Sequence, residues 1–266
     1  MRPVAGGVEE PSVRILAGDA RTLTGIAPAS IHLVVTSPPY PMVPLWDDLF
    51  AAQGATEYGA MHDLLEEAWD ACRRVLVPGG ILAVNIGDAL RSSGPGTFRL
   101  WPNHAEVLRR AERVGFRPLP YLLWKKPMNR PNAFLGSGFL PPSAYVTLDC
   151  EFLLLFRNGP PRAFPARDPN RAASRFDRAE RDQWFSQIWT VRGAPQANGA
   201  GRRTARFPLE IPRRLIRMFS VLGDTVLDPF AGTGTTLRAA RQLGRHAVGV
   251  EIDPARVREL TREFPA

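Results

Sequence analysis

Apolar positions along this chain fall into short, nearly unbroken runs separated by longer amphipathic stretches. Val-Arg-Ile-Leu-Ala at 13–17 alternates like a strand and ends in Gly18-Asp19. The runs at 31–35, 81–86, 121–124, 151–156, 225–228 and 246–250 are too short for helices. Their nearly continuous apolarity predicts strands buried on both faces, as in parallel sheets. Between them Met61, Leu64, Leu65, Ala68, Trp69, Cys72 and Leu76 recur at helical spacing, with Pro78-Gly79-Gly80 as the predicted stop. Asn103 is placed to cap a second helix ending at Gly115. Pro212 sits in the first turn of a third, reaching Phe219, and residues 235–243 make a fourth closed by Gly244. Residues 41–59 read as a long loop anchored by Trp46 and Phe50, and 92–96 as a shorter one.

Strands alternating with helices predict an α/β fold with a mostly parallel sheet. Residues 128–206 are irregular and interrupt that rhythm. The expected organisation is one half of a core at 1–127, an insert at 128–206 that contains the core strand 151–156, and the other half at 207–266.

At 266 residues the chain is one large domain or two small ones. Its 44% hydrophobic and 23% charged residues exclude global disorder, and no run of about 18 apolar residues predicts a membrane span. Residues 1–10 have no signal-peptide core. Cys72 and Cys150 cannot make a disulfide framework, no Cys/His cluster has zinc spacing, and a reducing cytoplasm is the expected compartment. The net charge of +8 is unevenly placed: residues 157–217 hold 14 arginines, no lysine and five acids, +9 in all, and the remainder is −1. Such a block is either a phosphate-binding surface or a solvated arginine face.

Two turns carry candidate chemistry. Asp228-Pro229-Phe230-Ala231-Gly232-Thr233-Gly234-Thr235-Thr236 lies between a predicted strand and helix, where glycines let a ligand approach the backbone. Glu251, ending the next strand, is placed to accept hydrogen bonds from ribose hydroxyls. Leu237 stands where a dinucleotide fingerprint wants a small residue, and no Gly-Lys precedes Ser/Thr as a P-loop requires. Asp228 disfavours a pyrophosphate and suits a ligand with a positively charged amino group, as S-adenosylmethionine has. The second turn, Ser37-Pro38-Pro39-Tyr40, follows a buried strand. Its prolines fix φ and push the preceding residues into extended backbone, predicting rigid carbonyl acceptors from Ser37 and Pro38 for an exocyclic amine. Tyr40 is suited to stack on a base turned out of a duplex.

Thr36-Ser37-Pro38-Pro39-Tyr40 early and Asp228–Thr236 late resemble the β class of DNA amino-methyltransferases, in the order catalytic motif, target-recognition region, cofactor motif. Gly18-Asp19-Ala20, Arg74-Val75-Leu76-Val77-Pro78-Gly79-Gly80, Leu123-Trp124-Lys125-Lys126-Pro127, and Phe207-Pro208 before Gly223-Asp224 extend the likeness over nearly the whole chain. The resemblance implies a Rossmann-like S-adenosylmethionine-dependent methyltransferase fold with circularly permuted motifs. It gives Asp19, Ala20, Phe207, Asp228, Pro229, Phe230, Ala231, Gly232, Gly234, Thr235, Glu251 and Ile252 to S-adenosyl-L-methionine. The target base falls to Ser37, Pro38, Pro39 and Tyr40, with Ser37 in the first place as in cytosine-N4 enzymes; adenine N6 is the alternative target, and a non-catalytic nucleic-acid binder the alternative of another class. It makes the basic block a duplex-reading insert, with Arg167, Arg171, Arg175 and Arg178 on DNA. No metal is implied. A prokaryotic, nucleoid-associated cytoplasmic enzyme is expected, a second copy of the chain and a cognate restriction endonuclease being its open protein partners. Arg206 departs from the family, many of whose members have histidine before Phe-Pro.

Cys72 and Cys150 read as core residues rather than nucleophiles, the four histidines carry no assignment, and Trp69 and Trp124 read as packing. Trp46, just after the tetrad, is expected to cover the base pocket.

Overall fold

The computed structural model describes residues 10–94, 97–127, 148–193 and 207–265. Pro95, Gly96, Arg206 and two parts of the irregular region (128–147 and 194–206) lie outside them. One sheet of nine strands organises the described residues. Its strands are β1 (Val13–Ala17), β2 (Ile31–Thr36), β3 (Leu76–Ile86), β6 (Arg117–Pro118), β7 (Leu122–Lys125), β8 (Cys150–Arg157), β9 (Ile188–Thr190), β10 (Thr225–Asp228) and β11 (His246–Glu251). The remaining pair, β4 (Ala89–Gly94) and β5 (Thr97–Trp101), forms a separate hairpin. The order is β1-β11-β10-β2-β3-β8-β7-β9, with β6 on β8. The first five strands in that order are mutually parallel, β8 is antiparallel to β3 and β7, and β9 is parallel to β7. The mostly parallel α/β expectation holds, and β10 and β11 separate β1 from β2.

Successive residues of a strand face opposite sides of the sheet, so its apolar runs feed two cores. Leu33, Val35, Ala83, Leu153 and Val226 pack beneath α6 (Glu210–Phe219), α7 (Thr235–Gln242) and α8 (Pro254–Glu263). Val34, Leu82, Val84, Leu154 and Leu227 pack against α2 (Tyr58–Val75) and α3 (Asn103–Arg113) through Leu65, Trp69, Cys72 and Val107. Helices therefore cover both faces and leave the strand ends as the accessible rims. Cys72 is core as expected, whereas Cys150 is half-buried and its Sγ donates to Asp149 Oδ1 at 3.2 Å.

Several expectations need correction. The 41–59 loop contains a 3-10 turn at Pro44–Trp46 and helix α1 (Asp47–Ala51), and α2 begins three residues before Met61. Pro78-Gly79-Gly80 does not close a helix cap but forms an irregularity within β3: Leu76 pairs with Ile31, and Ile81 with Leu33. Pro78 cannot donate to the ladder, and Gly79 takes φ 81°, a left-handed value natural to glycine. Of the expected 92–96 loop, residues 92–94 belong to β4, which pairs with β5, and Pro95 and Gly96 lie outside the described residues. Asn103 caps nothing: the N-cap of α3 is Pro102, and the Asn103 side chain is buried elsewhere. Within the irregular region lie α4 (Pro169–Ala173) and α5 (Arg178–Trp184), the latter started by an Asp177/Glu180 capping box.

Candidate active site

In a parallel sheet the loops leaving the carboxyl ends of the strands meet at one rim, where ligands of such folds bind. Here that rim collects Asp19 after β1, Glu251 ending β11, Asp228 ending β10, Ser37-Pro38-Pro39-Tyr40 after β2, and Gly87 after β3. Because β8 and β7 run on from β3 in antiparallel fashion, Glu151 near the start of β8 and Lys126 just beyond β7 reach the same rim.

The two motif turns are physically joined. Thr36 Oγ1 donates to Asp228 Oδ1 at 2.7 Å, and the same oxygen accepts the Phe230 N–H at 3.1 Å. Asp228 is 3% exposed, and burial pushes its pKa up to about 6 although hydrogen bonds from Thr36, Thr236 and Phe230 favour the anion. A neighbouring cation would relieve that cost. One strand over, Glu251 Oε2 accepts the Gly232 N–H at 2.8 Å and Oε1 the Asp253 N–H at 2.9 Å. These bonds shape the glycine turn. Gly232 and Gly234 take φ 53° and 77°, and a Cβ on Gly234 would stand 2.7 Å from Leu260 of α8. Phe230 and Ile252 flank the acids, Ile252 being 47% exposed and Phe230 edge-on to Trp69. Pro229 and Ala231 are buried, and Thr235 opens α7 half-buried.

At the outer end of the acidic row, burial raises the Asp19 pKa, but hydrogen bonds from Arg21 outweigh it and hold the carboxyl below its ordinary value. Ala20 is buried beside it. Phe207 is packed into the core that includes Ala231 and Leu237.

Around the tetrad lies a network that spacing in the sequence does not reveal. Ser37 Oγ and Tyr40 OH are 3.1 Å apart, and Tyr40 OH donates to Glu151 Oε2 at 2.9 Å. Asn85 Nδ2 donates to Tyr40 OH and to Glu151 Oε2, both at 2.7 Å, and approaches Ser37 Oγ at 3.5 Å. Lys126 pairs with the other oxygen of Glu151. Burial, then the Glu151 charge, push the Tyr40 hydroxyl well above its usual pKa, so it stays a neutral donor. With the Tyr40 O–H directed at Glu151, the Ser37 O–H is free to point at the Tyr40 oxygen, leaving Ser37 Oγ lone pairs available as acceptors. Asn85 Oδ1 is buried with no partner among the described residues, a second acceptor held at the site.

The exit from the tetrad is pinned. Asn103 Nδ2 donates to Pro41 O at 2.9 Å and to Gly87 O at 3.0 Å, while its Oδ1 meets His62 Nε2 at 3.2 Å. Arg91 Nε donates to Met42 O at 2.6 Å. Trp46 does not lie free over the pocket; it packs with Met42 against Phe50 and Met61 in a small satellite core.

The four arginines singled out in the sequence are elsewhere. Arg167, Arg171 and Arg175 line a cleft with His32, Gly79 and Ser220, residues at the amino ends of the parallel strands. Arg178 stands on α5 opposite Asp182. Among the described residues no cluster of three or more metal-ligating groups occurs, and no helix is long and apolar enough to cross a membrane.

A doubly covered sheet with an acid-flanked glycine turn on one strand and a Pro-Pro-Tyr turn on its neighbour defines a Rossmann-like methyltransferase of the S-adenosylmethionine-dependent class. The family model described as DNA methylase, covering N6 and N4 amino-methylation, matches residues 31–262, and the chain belongs to that family. It is 53% identical to the Type II methyltransferase M.MjaI of Methanocaldococcus jannaschii, over 90% of this chain and 87% of that protein. It is 42% identical to the Type II methyltransferase M.MthZI of Methanothermobacter thermautotrophicus, over 90% and 73%. Among solved structures, TTHA0409 of Thermus thermophilus complexed with S-adenosyl-L-methionine superposes with a TM-score of 0.75 at 36% identity, over 95% of this chain and 96% of that one.

Proposed function

We propose that this DNA methyltransferase transfers a methyl group from S-adenosyl-L-methionine to the exocyclic N4 amine of cytosine in duplex DNA. The observation that carries the reading is the juxtaposition of Ser37 and Asp228 on adjacent strand ends, coupled by the Thr36–Asp228 hydrogen bond. The cofactor supplies an electrophilic methyl on sulfur. Glu251 keeps lone pairs for ribose hydroxyls beyond its two backbone bonds, and buried Asp228 offers an anion to the cofactor's cationic end. Asp19, Ala20, Phe230 and Ile252 are assigned to the adenosine, and the backbone from Asp228 through Thr235 to the amino-acid part.

The target base leaves the duplex to reach this rim. An aromatic amine is a poor nucleophile because its lone pair is delocalised into the ring. Ser37 Oγ and the carbonyls of the Pro-Pro turn accept hydrogen bonds from its two N–H groups and turn the nitrogen toward sp³, freeing the lone pair. The N–C bond forms as the S–C bond breaks, and the methylated ammonium then releases one proton to solvent. Asn85 Oδ1 supports this role, since a buried acceptor left without a donor costs about 1–3 kcal/mol and an incoming amine supplies one. Glu151 and Lys126 hold Asn85 and Tyr40 in register, so that catalysis is mostly orientation plus polar acceptors facing the developing ammonium charge.

Duplex DNA incubated with the enzyme and cofactor, digested to nucleosides and analysed by mass spectrometry, should contain N4-methylcytosine. N6-methyladenine alone overturns the choice of base. DNA binding without any transfer overturns the enzymatic reading.

A further inference from the structure

The basic block singled out in the sequence is not absorbed by the active site, and its cleft sits at the opposite rim of the sheet. From His32 in that cleft to Ser37 in the tetrad, β2 advances five residues, about 16 Å at roughly 3.3 Å per residue. The cleft and the tetrad therefore stand at opposite ends of β2.

The cleft has a volume of about 800 Å³ and is lined by five arginines (162, 167, 171, 175 and 217) against one acid, Asp168. Two of these arginines are neutralised: Arg162 holds both oxygens of Asp224 at 2.6 and 2.8 Å, and Arg217 donates to Glu180 at 2.7 Å. Arg167, Arg171 and Arg175 are exposed and have no acidic side-chain partner among the described residues. Asp168 is engaged by the Arg171 backbone N–H at 2.8 Å. The guanidinium groups of Arg162 and Arg171 both stack over the ring of Phe164, at 4.6 and 5.0 Å from its centroid. Arg167 holds a left-handed φ of 62°, a strained backbone for a long side chain and one that recurs at ligand sites.

We propose that this cleft is a binding site for a free polyphosphate-bearing small molecule of nucleotide size, separate from the methyl-transfer site. Three unpaired guanidinium groups around one concavity repel one another until an anion arrives, and guanidinium forks match phosphate oxygens bidentately. Concavity and volume fit a small ligand rather than the convex face of a duplex. The proposal does not depend on which base is methylated.

The test is isothermal titration of inorganic tripolyphosphate into the full chain saturated with S-adenosyl-L-methionine, so that the cofactor site is occupied and adenine recognition plays no part. One tripolyphosphate should bind per chain. Affinity should fall roughly tenfold for each guanidinium removed in Arg171→Ala and Arg175→Ala, while Arg178→Ala, outside the cleft, leaves it unchanged. These side chains are exposed, and unchanged melting temperatures in the variants separate loss of the site from loss of the fold. No heat from tripolyphosphate overturns the proposal. So does an equal loss in Arg178→Ala, which would mean diffuse charge. Tripolyphosphate failing while duplex binding collapses in Arg171→Ala would make the cleft a DNA-docking surface instead.

Discussion

The two rims of one sheet carry opposite electrostatic designs. At the carboxyl rim the acids are satisfied: Asp228 is buried and bonded to Thr36, and Glu151 is bonded to Tyr40, Asn85 and Lys126. At the amino rim the charge is exposed, positive and partly unpaired, held on short helices. Both rims are built from strand ends only a few residues apart, yet a single substitution has unlike consequences at each. Where a charge is buried, the fold has already been destabilised to keep it, so removing it trades stability against function. Where charge is solvated, removal costs the fold little and shows only in binding.

Asp228→Asn should widen this contrast most. Cofactor affinity should fall on the order of 100-fold, a charge-assisted contact being lost. Stability should move the other way. The folded-state pKa of about 6 lies above the ordinary 3.8, so the folded chain holds a proton that the unfolded chain releases, and stability declines as pH rises between those values. At pH 7 the asparagine variant should gain up to about 3 kcal/mol, and its melting-temperature advantage should vanish near pH 4. A pH-independent difference refutes the buried-anion account.

Asn103→Ala comes next. It strips two donors from the buried carbonyls of Pro41 and Gly87, which should cost about 2–4 kcal/mol in urea unfolding. Turnover should fall as well, because the exit of the tetrad is released; a stable variant with full activity would show the pin to be idle. Glu151→Gln should lower kcat about tenfold with cofactor affinity unchanged. It should also bring the Tyr40 hydroxyl back toward its usual pKa in a tyrosinate absorbance titration, since the Glu151 charge helps raise it. The smallest effect belongs to the amino-rim side of the comparison: Arg178→Ala removes an exposed pair at 3.6 Å and should shift stability by no more than about 0.5 kcal/mol.

Much of the sheet was legible because a strand buried on both faces writes its own apolar run: β2, β8, β10 and β11 stand within one or two residues of where that pattern puts them. The hairpin of β4 and β5 was not, since Ser92-Ser93-Gly94-Pro95-Gly96 reads as a loop and the apolar stretches on either side of it are short and broken by Arg91 and Arg99. Helix α8 also passed unnoticed, although Asp253-Pro254 is a readable start, with the Asp253 side chain accepting the Ala255 N–H at 2.8 Å. Within the site the contiguous turns were readable. Asn85, Glu151 and Asn103 were not, because each acts on a residue 45, 111 and 62 positions away respectively. Only the pairing of β3 with β8 brings Glu151 under Tyr40. The arginine block was read correctly as uneven charge, but composition alone carries no information about which rim it occupies.

The insertion of β10 and β11 between β1 and β2 has a consequence for the life of the chain on the ribosome. The Thr36–Asp228 bond closes across 192 residues; β2 lacks its sheet neighbour from the C-terminal segment until residue 228 has been made, and β1 until residue 251. Long-range pairing of this kind is slow and leaves strand edges exposed in the meantime. A growing chain thus carries the complete Pro-Pro-Tyr motif through most of its synthesis without any capacity to modify DNA. Competence arrives only with the last strand.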